Sequence, residues 1–331
     1  MKVALVGSTG LVGSTFLKVM EERSFPVVEL MPVASARSAG KRLEYKGAKF
    51  EVMEIAQALD KKPDVAFFTA GSSVSKEWAP AFAEKGILVI DNSSAWRMTP
   101  EIPLVVPEIN GNAIQLQHRI IANPNCSTIQ LLIGCWQLHK AYQIERMVIS
   151  TYQSVSGSGQ KAIDQMWNER SNKEGDKTYP HPIDLNCIPH CGDFDDEGNT
   201  EEELKLMRET AKILDPAIKV SATAVRVPVS GGHSEAVNIR FSNPFELKDV
   251  LEILRNSPGV VVLDDQKKNE YPMPLLAADK DDVFVGRIRR DHSESNSLNM
   301  WIVADNLRKG AATNAVQIAE YCLQKGLLSP Q

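Results

Sequence analysis

Through the first 150 residues, short apolar runs alternate with helical patterns. "KVALVG" reads as a buried strand and residues 10–22 as a helix; "VVELMPVAS", "PDVAFFTAG" and "GILVIDNSS" read as further strands, with a helix over 75–85 before the last. Strands that are apolar on both faces and alternate with helices predict a parallel sheet covered by helices. The later part reads differently. "KVSATAVRVPV", "HSEAVNIRF", "DVFVGRIRRD" and "LNMWIVADN" are longer, half-polar strands, with a helix at about 245–256 between the second and third. They predict a mixed or antiparallel sheet with one solvated or interfacial face, hence a second domain of α+β type. A last helix over 310–325 carries Ala311, Ala315, Ile318, Ala319 and Cys322 at helical spacing, suited to packing back onto the first domain. The polar stretches 170–187 and 190–203, with their Gly and Pro, read as loops.

Composition narrows the class of function. The 331 residues suit about two domains, and 43% hydrophobic with 24% charged residues is the balance of a globular protein with a sizeable core. With 37 Lys and Arg against 42 Asp and Glu, the net charge of -5 offers no basic field for nucleic acid, so small-molecule chemistry is expected. The opening apolar run breaks at Gly7, too early for a signal-peptide core. No stretch approaches the ~20 apolar residues that span a bilayer. Five scattered cysteines form no disulfide framework, so a reducing cytoplasm is expected.

"VGSTGLVGSTF" places Gly7, Gly10 and Gly13 between the first strand and the first helix. Glycines there let the backbone turn tightly beside a pyrophosphate, which the free N–H groups of the helix start would bind. The expected dinucleotide loop is Gly7, Ser8, Thr9, Gly10, Leu11, Val12 and Gly13; the plainer reading is a tight turn without ligand. The second strand runs into "ASARSAGK", with Ser35, Arg37 and Ser38 but no acid to hold a ribose 2′-hydroxyl. A guanidinium beside hydroxyls suits a 2′-phosphate, so NADP is expected over NAD, unless Arg37 is merely a solvated arginine.

"NPNCSTIQLL" puts Cys126 at, or one residue before, a helix start that Ser127 and Thr128 could cap. The positive end of a helix stabilises a thiolate, so Cys126 is a candidate nucleophile as well as a small buried hydrophobe. Cys135 and Cys322 read as core, and Cys187 with Cys191, near His181 and His190, as a loop thiol pair without a second ligand pair for zinc. Of six histidines, His118, His139, His181, His190 and His292 lie in charged or irregular polar surroundings. His233 follows "RVPVSGG" at a strand start, where a site histidine would be presented, although a loop histidine would read the same.

"GSTGLVG", "SARSAGK", "DNSSAWRMTPEIPLVVPEIN", "NPNCSTIQ", "STYQSVSGSG", "EELK", "VRVPVSGGH", "FVGRIRRD" and "ADNLRKGAATNAVQIAE" together resemble the aspartate-semialdehyde dehydrogenase family, in order and along nearly the whole chain. The wording is nearer the Gram-positive and archaeal-to-fungal side of that family than the enteric one. The resemblance implies a Rossmann-type parallel sheet over 1–126, joined by a C-terminal helix at about 307–331. It further implies a catalytic and dimerisation domain over 127–306, with a mixed sheet. The implied reaction is NADPH-dependent reductive dephosphorylation of L-4-aspartyl phosphate to L-aspartate 4-semialdehyde through a cysteine thioester. That step serves lysine, threonine, methionine and isoleucine biosynthesis.

By the same resemblance Cys126 is the nucleophile and His233 the acid/base residue, whose ordinary pKa of ~6.5 suits both directions. Gln153 orients substrate, Arg226 grips its α-carboxylate, Glu202 meets its ammonium, and Lys205 and Arg97 bind phosphate. Ser156 and Gly157 lie near the nicotinamide and Asn306 touches its carboxamide. No metal is implied, and a homodimer or homotetramer is, with the half-polar strands around Trp301 as a candidate interface. Ser8, the paired glycines of "VSGGH" and "CIPHC" depart from the family's usual wording. The competing readings are N-acetyl-γ-glutamyl-phosphate reductase, which has no free substrate ammonium to meet, a catalytically silent nucleotide-binding paralogue, and a cysteine hydrolase.

Overall fold

The computed structural model describes residues 1–329 and divides into two compact units, Met1–Asn125 with the segment from Ala311, and Cys126–Gly310. In the first unit β1 (Lys2–Val6), β2 (Glu29–Val33), β5 (Val65–Phe68), β6 (Leu88–Asp91) and β7 (Ile120–Ala122) form a parallel sheet in the order β2-β1-β5-β6-β7. The first four carry the predicted apolar runs. Three elements escape the periodicity. β7 is three residues long, and the antiparallel pair β3 (Arg42–Tyr45) and β4 (Ala48–Glu51) is mostly exposed, so neither shows a sustained apolar pattern.

The first helix, Leu11–Glu22, runs as expected. The second expected helix spans Ser72–Glu84 rather than starting at 75, because its first turn, from Gly71 at φ +92°, is polar and hid the start; a short helix, Ile55–Asp60, comes before it. One apolar layer joins Leu5, Phe16 and Phe67 to Ala315, Val316, Ile318 and Cys322, so the last helix packs on the sheet of the first unit. That helix covers Thr313–Gln324 after a π-turn at Arg308–Ala312. It is fastened by Asn314 Nδ2, which donates to Val105 O at 3.0 Å and Asn123 Oδ1 at 2.7 Å, and by a two-bond Arg23–Glu320 pair. Residues 330 and 331 of the expected closing segment lie outside the described residues.

In the second unit β8 (Ile144–Gln153), β9 (Lys219–Arg226), β10 (His233–Phe241), β11 (Val260–Val262), β12 (Val283–Arg290) and β13 (Ser297–Ala304) form one mixed sheet, ordered β11-β12-β13-β10-β8-β9. The β8–β9 and β11–β12 pairs are parallel and the others antiparallel. The sequence pattern missed β8, although it is central, because its exposed charges Glu145 and Arg146 interrupt the alternation. On β10, His233, Glu235, Val237, Ile239 and Phe241 are buried while Ala236, Asn238 and Arg240 are half-buried, so one face is covered and the other open.

The helix Cys126–Tyr142 lies against the covered face and is buried without a break from Ser127 to Trp136. Each wholly buried Leu or Ile there contributes about 1.5–3 kcal/mol. The expected loop 190–203 ends in the helix Glu201–Ile213, which a Thr200/Glu203 capping box starts. Among the described residues, no helix is long and apolar enough to cross a membrane.

Candidate active site

Cys126 is the first residue of its helix and half-buried. Gly310 packs against it so closely that a Cβ there would stand 2.8 Å from Cys126 Cβ. Ser127 and Thr128 lie buried in the first turn of the helix rather than before it, and Ser127 Oγ accepts from Gln153 Nε2 at 2.6 Å. Gln153, the wholly buried last residue of β8, also donates through Nε2 to Glu202 Oε1 at 3.1 Å. Its Oε1 is left with no partner among the described residues.

His233 opens β10. Ser154 N–H donates to its Nδ1 at 3.0 Å, and since a backbone N–H can only donate, the neutral ring carries its proton on Nε2. Nε2 is buried without a partner among the described residues. Burial, then the nearby Arg226 charge, pushes the imidazole down to about 3. The expected midpoint near neutrality is therefore corrected: desolvation holds His233 neutral. Gly157 is the residue that packs over it, since a Cβ there would stand 2.8 Å from Arg226 Nη1 and 3.1 Å from His233 Nε2.

Arg226 closes β9, nearly buried, with Nη1 donating to Ser154 O at 2.7 Å and Nε unpartnered among the described residues. Glu202 and Lys205 share the first turns of their helix, with Lys205 Nζ 3.3 Å from Glu202 Oε2 and 3.6 Å from Glu201 Oε2. Asn306 Oδ1 accepts from Ser154 Oγ, Ser156 Oγ and Gly232 N–H at 3.0–3.1 Å, so this side chain knits three loops together. Of the paired glycines, Gly232 needs its φ of +84° and sits against Pro274, whereas nothing crowds Gly231.

The "CIPHC" segment proves to be a wall of this site. Ile188 bridges Arg226 through backbone bonds of 2.8 and 2.9 Å, and the buried Cys191 thiol lies beside the Arg226 guanidinium, with burial pushing it up to about 11. Cys187 is exposed, Cys135 and Cys322 are buried and protonated, and His190 stacks on Phe194.

In the first unit, Gly7 and Ser8 N–H both donate to Val33 O, at 2.9 and 3.0 Å, which sets the glycine turn beside the end of β2. Gly7 has φ +91°, and a Cβ there would lie 2.4 Å from Thr69 Oγ1; one on Gly13 would lie 2.4 Å from Gly7 O. Only hydrogen fits at either place. Gly10, the N-cap, has room, and Thr9 and Gly10 are exposed with Leu11 and Val12 half-buried. Ser8 is buried and gives its Oγ to Val33 O at 3.1 Å, so its side chain is structural.

Ser35, Arg37 and Ser38 form a turn just past β2, with Arg37 exposed. A tight glycine turn at a helix start fits a dinucleotide. Arg97 is nearly buried and held by Asn123 O at 3.0 Å and Asn92 O at 2.8 Å.

Sequence reasoning missed Ser154, which fixes the His233 tautomer, along with Gln130, Glu235 and Gly310. "YQSVSG" and "RKGA" contain such residues but carry no sign of what they touch.

Residues 2–117 match the family model described as semialdehyde dehydrogenase, NAD binding domain, and residues 136–309 the one described as semialdehyde dehydrogenase, dimerisation domain. An aspartate-semialdehyde dehydrogenase of Aquifex aeolicus is 50% identical over 99% of both chains, and that of Bacillus subtilis 43% over 97% of this chain and 96% of its own. The crystal structure of Vibrio cholerae aspartate semialdehyde dehydrogenase II complexed with ASA superposes with TM-score 0.93 at 43% identity, over 97% of this chain and 98% of that one. The Candida albicans enzyme with NADP superposes at 0.78 and 26% identity, over 99% and 100%. Identity is thus equal for Bacillus and Vibrio and lower for the fungal protein, which does not separate the Gram-positive and archaeal-to-fungal side of the family from the enteric one. On these grounds the chain belongs to the aspartate-semialdehyde dehydrogenase family.

Proposed function

We propose that this protein is an NADP-dependent aspartate-semialdehyde dehydrogenase, making L-aspartate 4-semialdehyde and phosphate from L-4-aspartyl phosphate. The observation that supports it most is the buried set of unpartnered polar atoms around the Cys126 helix: Gln153 Oε1, Arg226 Nε and His233 Nε2. Together they offer an acceptor for a substrate ammonium beside Glu202, a donor for an α-carboxylate and a donor for a reacting oxygen.

Cys126 sulfur attacks the acyl carbon, the carbon–oxygen bond to phosphate breaks, and a thioester remains on Cys126. When bound, NADPH supplies the hydride that reduces this acyl group. His233 Nε2–H points its proton at the oxygen that gains charge in each tetrahedral species, a task for a neutral donor. Collapse of the hemithioacetal breaks the carbon–sulfur bond and frees the aldehyde. Gln153, pinned by Ser127 and Glu202, orients the acyl group, and Lys205 and Arg97 take the phosphate roles the resemblance implies. Ser156, Gly157 and Asn306 keep their nicotinamide roles.

The Met1–Asn125 unit with its C-terminal helix is the nucleotide-binding domain; Thr9 to Gly13 would hold the pyrophosphate and Arg37, with Ser35 and Ser38, the 2′-phosphate. The other unit is the catalytic and dimerisation domain of a homodimer or homotetramer, working in the cytoplasm in lysine, threonine, methionine and isoleucine biosynthesis. Glu202, buried between Gln153 and Lys205, favours a substrate with a free ammonium over an N-acetylated one, since a neutral acetamide would bring no charge to the carboxylate beyond Lys205.

A steady-state assay with phosphate, NADP and aspartate semialdehyde tests the reading. NADPH formation is expected, and Cys126→Ala should abolish it while NADP still binds. Turnover of N-acetylglutamate semialdehyde alone, or near-normal turnover by the alanine variant, overturns it.

A further inference from the structure

Glu235 is wholly buried on β10, two residues beyond His233 and on the same face of the strand. Neither of its oxygens has a hydrogen-bond donor among the described residues. Its polar neighbour is Gln130, one helical turn beyond Cys126 and also wholly buried. Gln130 Nε2 donates to His233 O at 3.3 Å, which orients the amide, and Gln130 Oε1 is left unpartnered. Both Glu235 oxygens and Gln130 Oε1 are therefore buried without a hydrogen-bond partner among the described residues, a costly state for each group. One proton resolves it.

We infer that Glu235 is a protonated positioning residue: its O–H donates to Gln130 Oε1 and Gln130 Nε2–H to His233 O, a chain that fixes the nucleophile helix against the strand bearing His233. The surroundings favour the acid form. Burial raises the Glu235 pKa well above its usual range; the Gln130 amide beside it works against that, and the Glu202 charge adds to it. Cys135, facing it from the same helix as Gln130, is held protonated, and the register partners Thr151 and Ile302 bring no charge. Glu235 touches no reacting atom; it acts through the spacing of Cys126 and His233. This rests on the activity proposed above.

The test compares Glu235→Gln, which keeps a neutral donor, with Glu235→Leu in the full chain. Glu235→Gln should hold kcat within about threefold of the parent. Glu235→Leu should lose tenfold or more in kcat at unchanged KM for NADP, on the scale of a small misplacement of catalytic groups, about 10²-fold at most. In the parent the native state keeps a Glu235 proton that the unfolded chain releases, so Tm should fall as pH rises above the ordinary carboxylate range, and Glu235→Gln should remove that decline. A folded Glu235→Gln as impaired as Glu235→Leu, or parallel declines of Tm with rising pH in parent and Glu235→Gln, overturns the inference.

If Glu235→Leu does not fold, the comparison of parent with Glu235→Gln decides alone. If the parent does not turn over aspartate semialdehyde at all, the activity assignment fails by itself, and the comparison of Tm against pH still decides the role of Glu235.

Discussion

Burial and the nearby Arg226 push the His233 imidazole down to about 3, from ~6.5 in an unfolded chain, so its protonation is linked to folding. Between those values the unfolded state binds a proton that the native state refuses. Stability is then complete above ~6.5 and lost as pH falls toward about 3, by at most ~1.4 kcal/mol per pH unit. His233→Asn should flatten Tm against pH between about 4 and 6.5, and a slope equal to the parent's would show that His233 titrates normally. Arg37 stands at the opposite extreme, exposed past the end of β2. Arg37→Ala should raise KM for NADP at least tenfold more than KM for NAD, the cost of about one charge-assisted contact; equal rises in the two constants would exclude a 2′-phosphate role. Both residue types were legible in the sequence, but the protonation state of His233 was not. It depends on Ser154 and Arg226, seventy-nine and seven residues away in the chain.

The turn between β1 and the first helix shows which part of a glycine motif is obligatory. Gly13 lies against backbone, with Gly7 O 2.4 Å from where a Cβ would stand and Ser8 Cα 2.8 Å from it. Neither neighbour is a flexible side-chain end. Gly13→Ala should displace the helix start, destabilise the protein by about 1–3 kcal/mol and weaken NADP binding, while Gly10→Ala, with 3.4 Å to Gly7 O, should leave the stability nearly unchanged. Thermal unfolding with an NADP titration checks both, and an undisturbed Gly13→Ala would mean that the loop can relax around a methyl group. The helices with an apolar stripe and the strands with unbroken apolar runs were readable from periodicity. β8 was not, because its charged residues obscure a pattern that pairing with β9 and β10 on either side makes unmistakable.

In the second unit the face of the mixed sheet away from the Cys126 helix carries Trp301 and the exposed Tyr152, with ring centroids 5.3 Å apart, beside half-buried Ala236. We propose this aromatic face as the surface that a second subunit covers; the dimerisation-domain match supports oligomer formation. The sequence by itself determined the two kinds of sheet, the glycine turn, and a cysteine at a helix start, because each is a local matter of periodicity, backbone freedom or spacing. Its resemblance to a family supplied roles for Arg226, Gln153 and His233. Tertiary structure alone decided that Ser127 serves Gln153, that "CIPHC" walls Arg226, and that His233 is neutral beside a buried Glu235. Desolvation and hydrogen-bond partnership are properties of what surrounds a side chain. Here the partners come from strands and helices far apart in the chain, as in the Gln153–Glu202 bond across forty-nine residues.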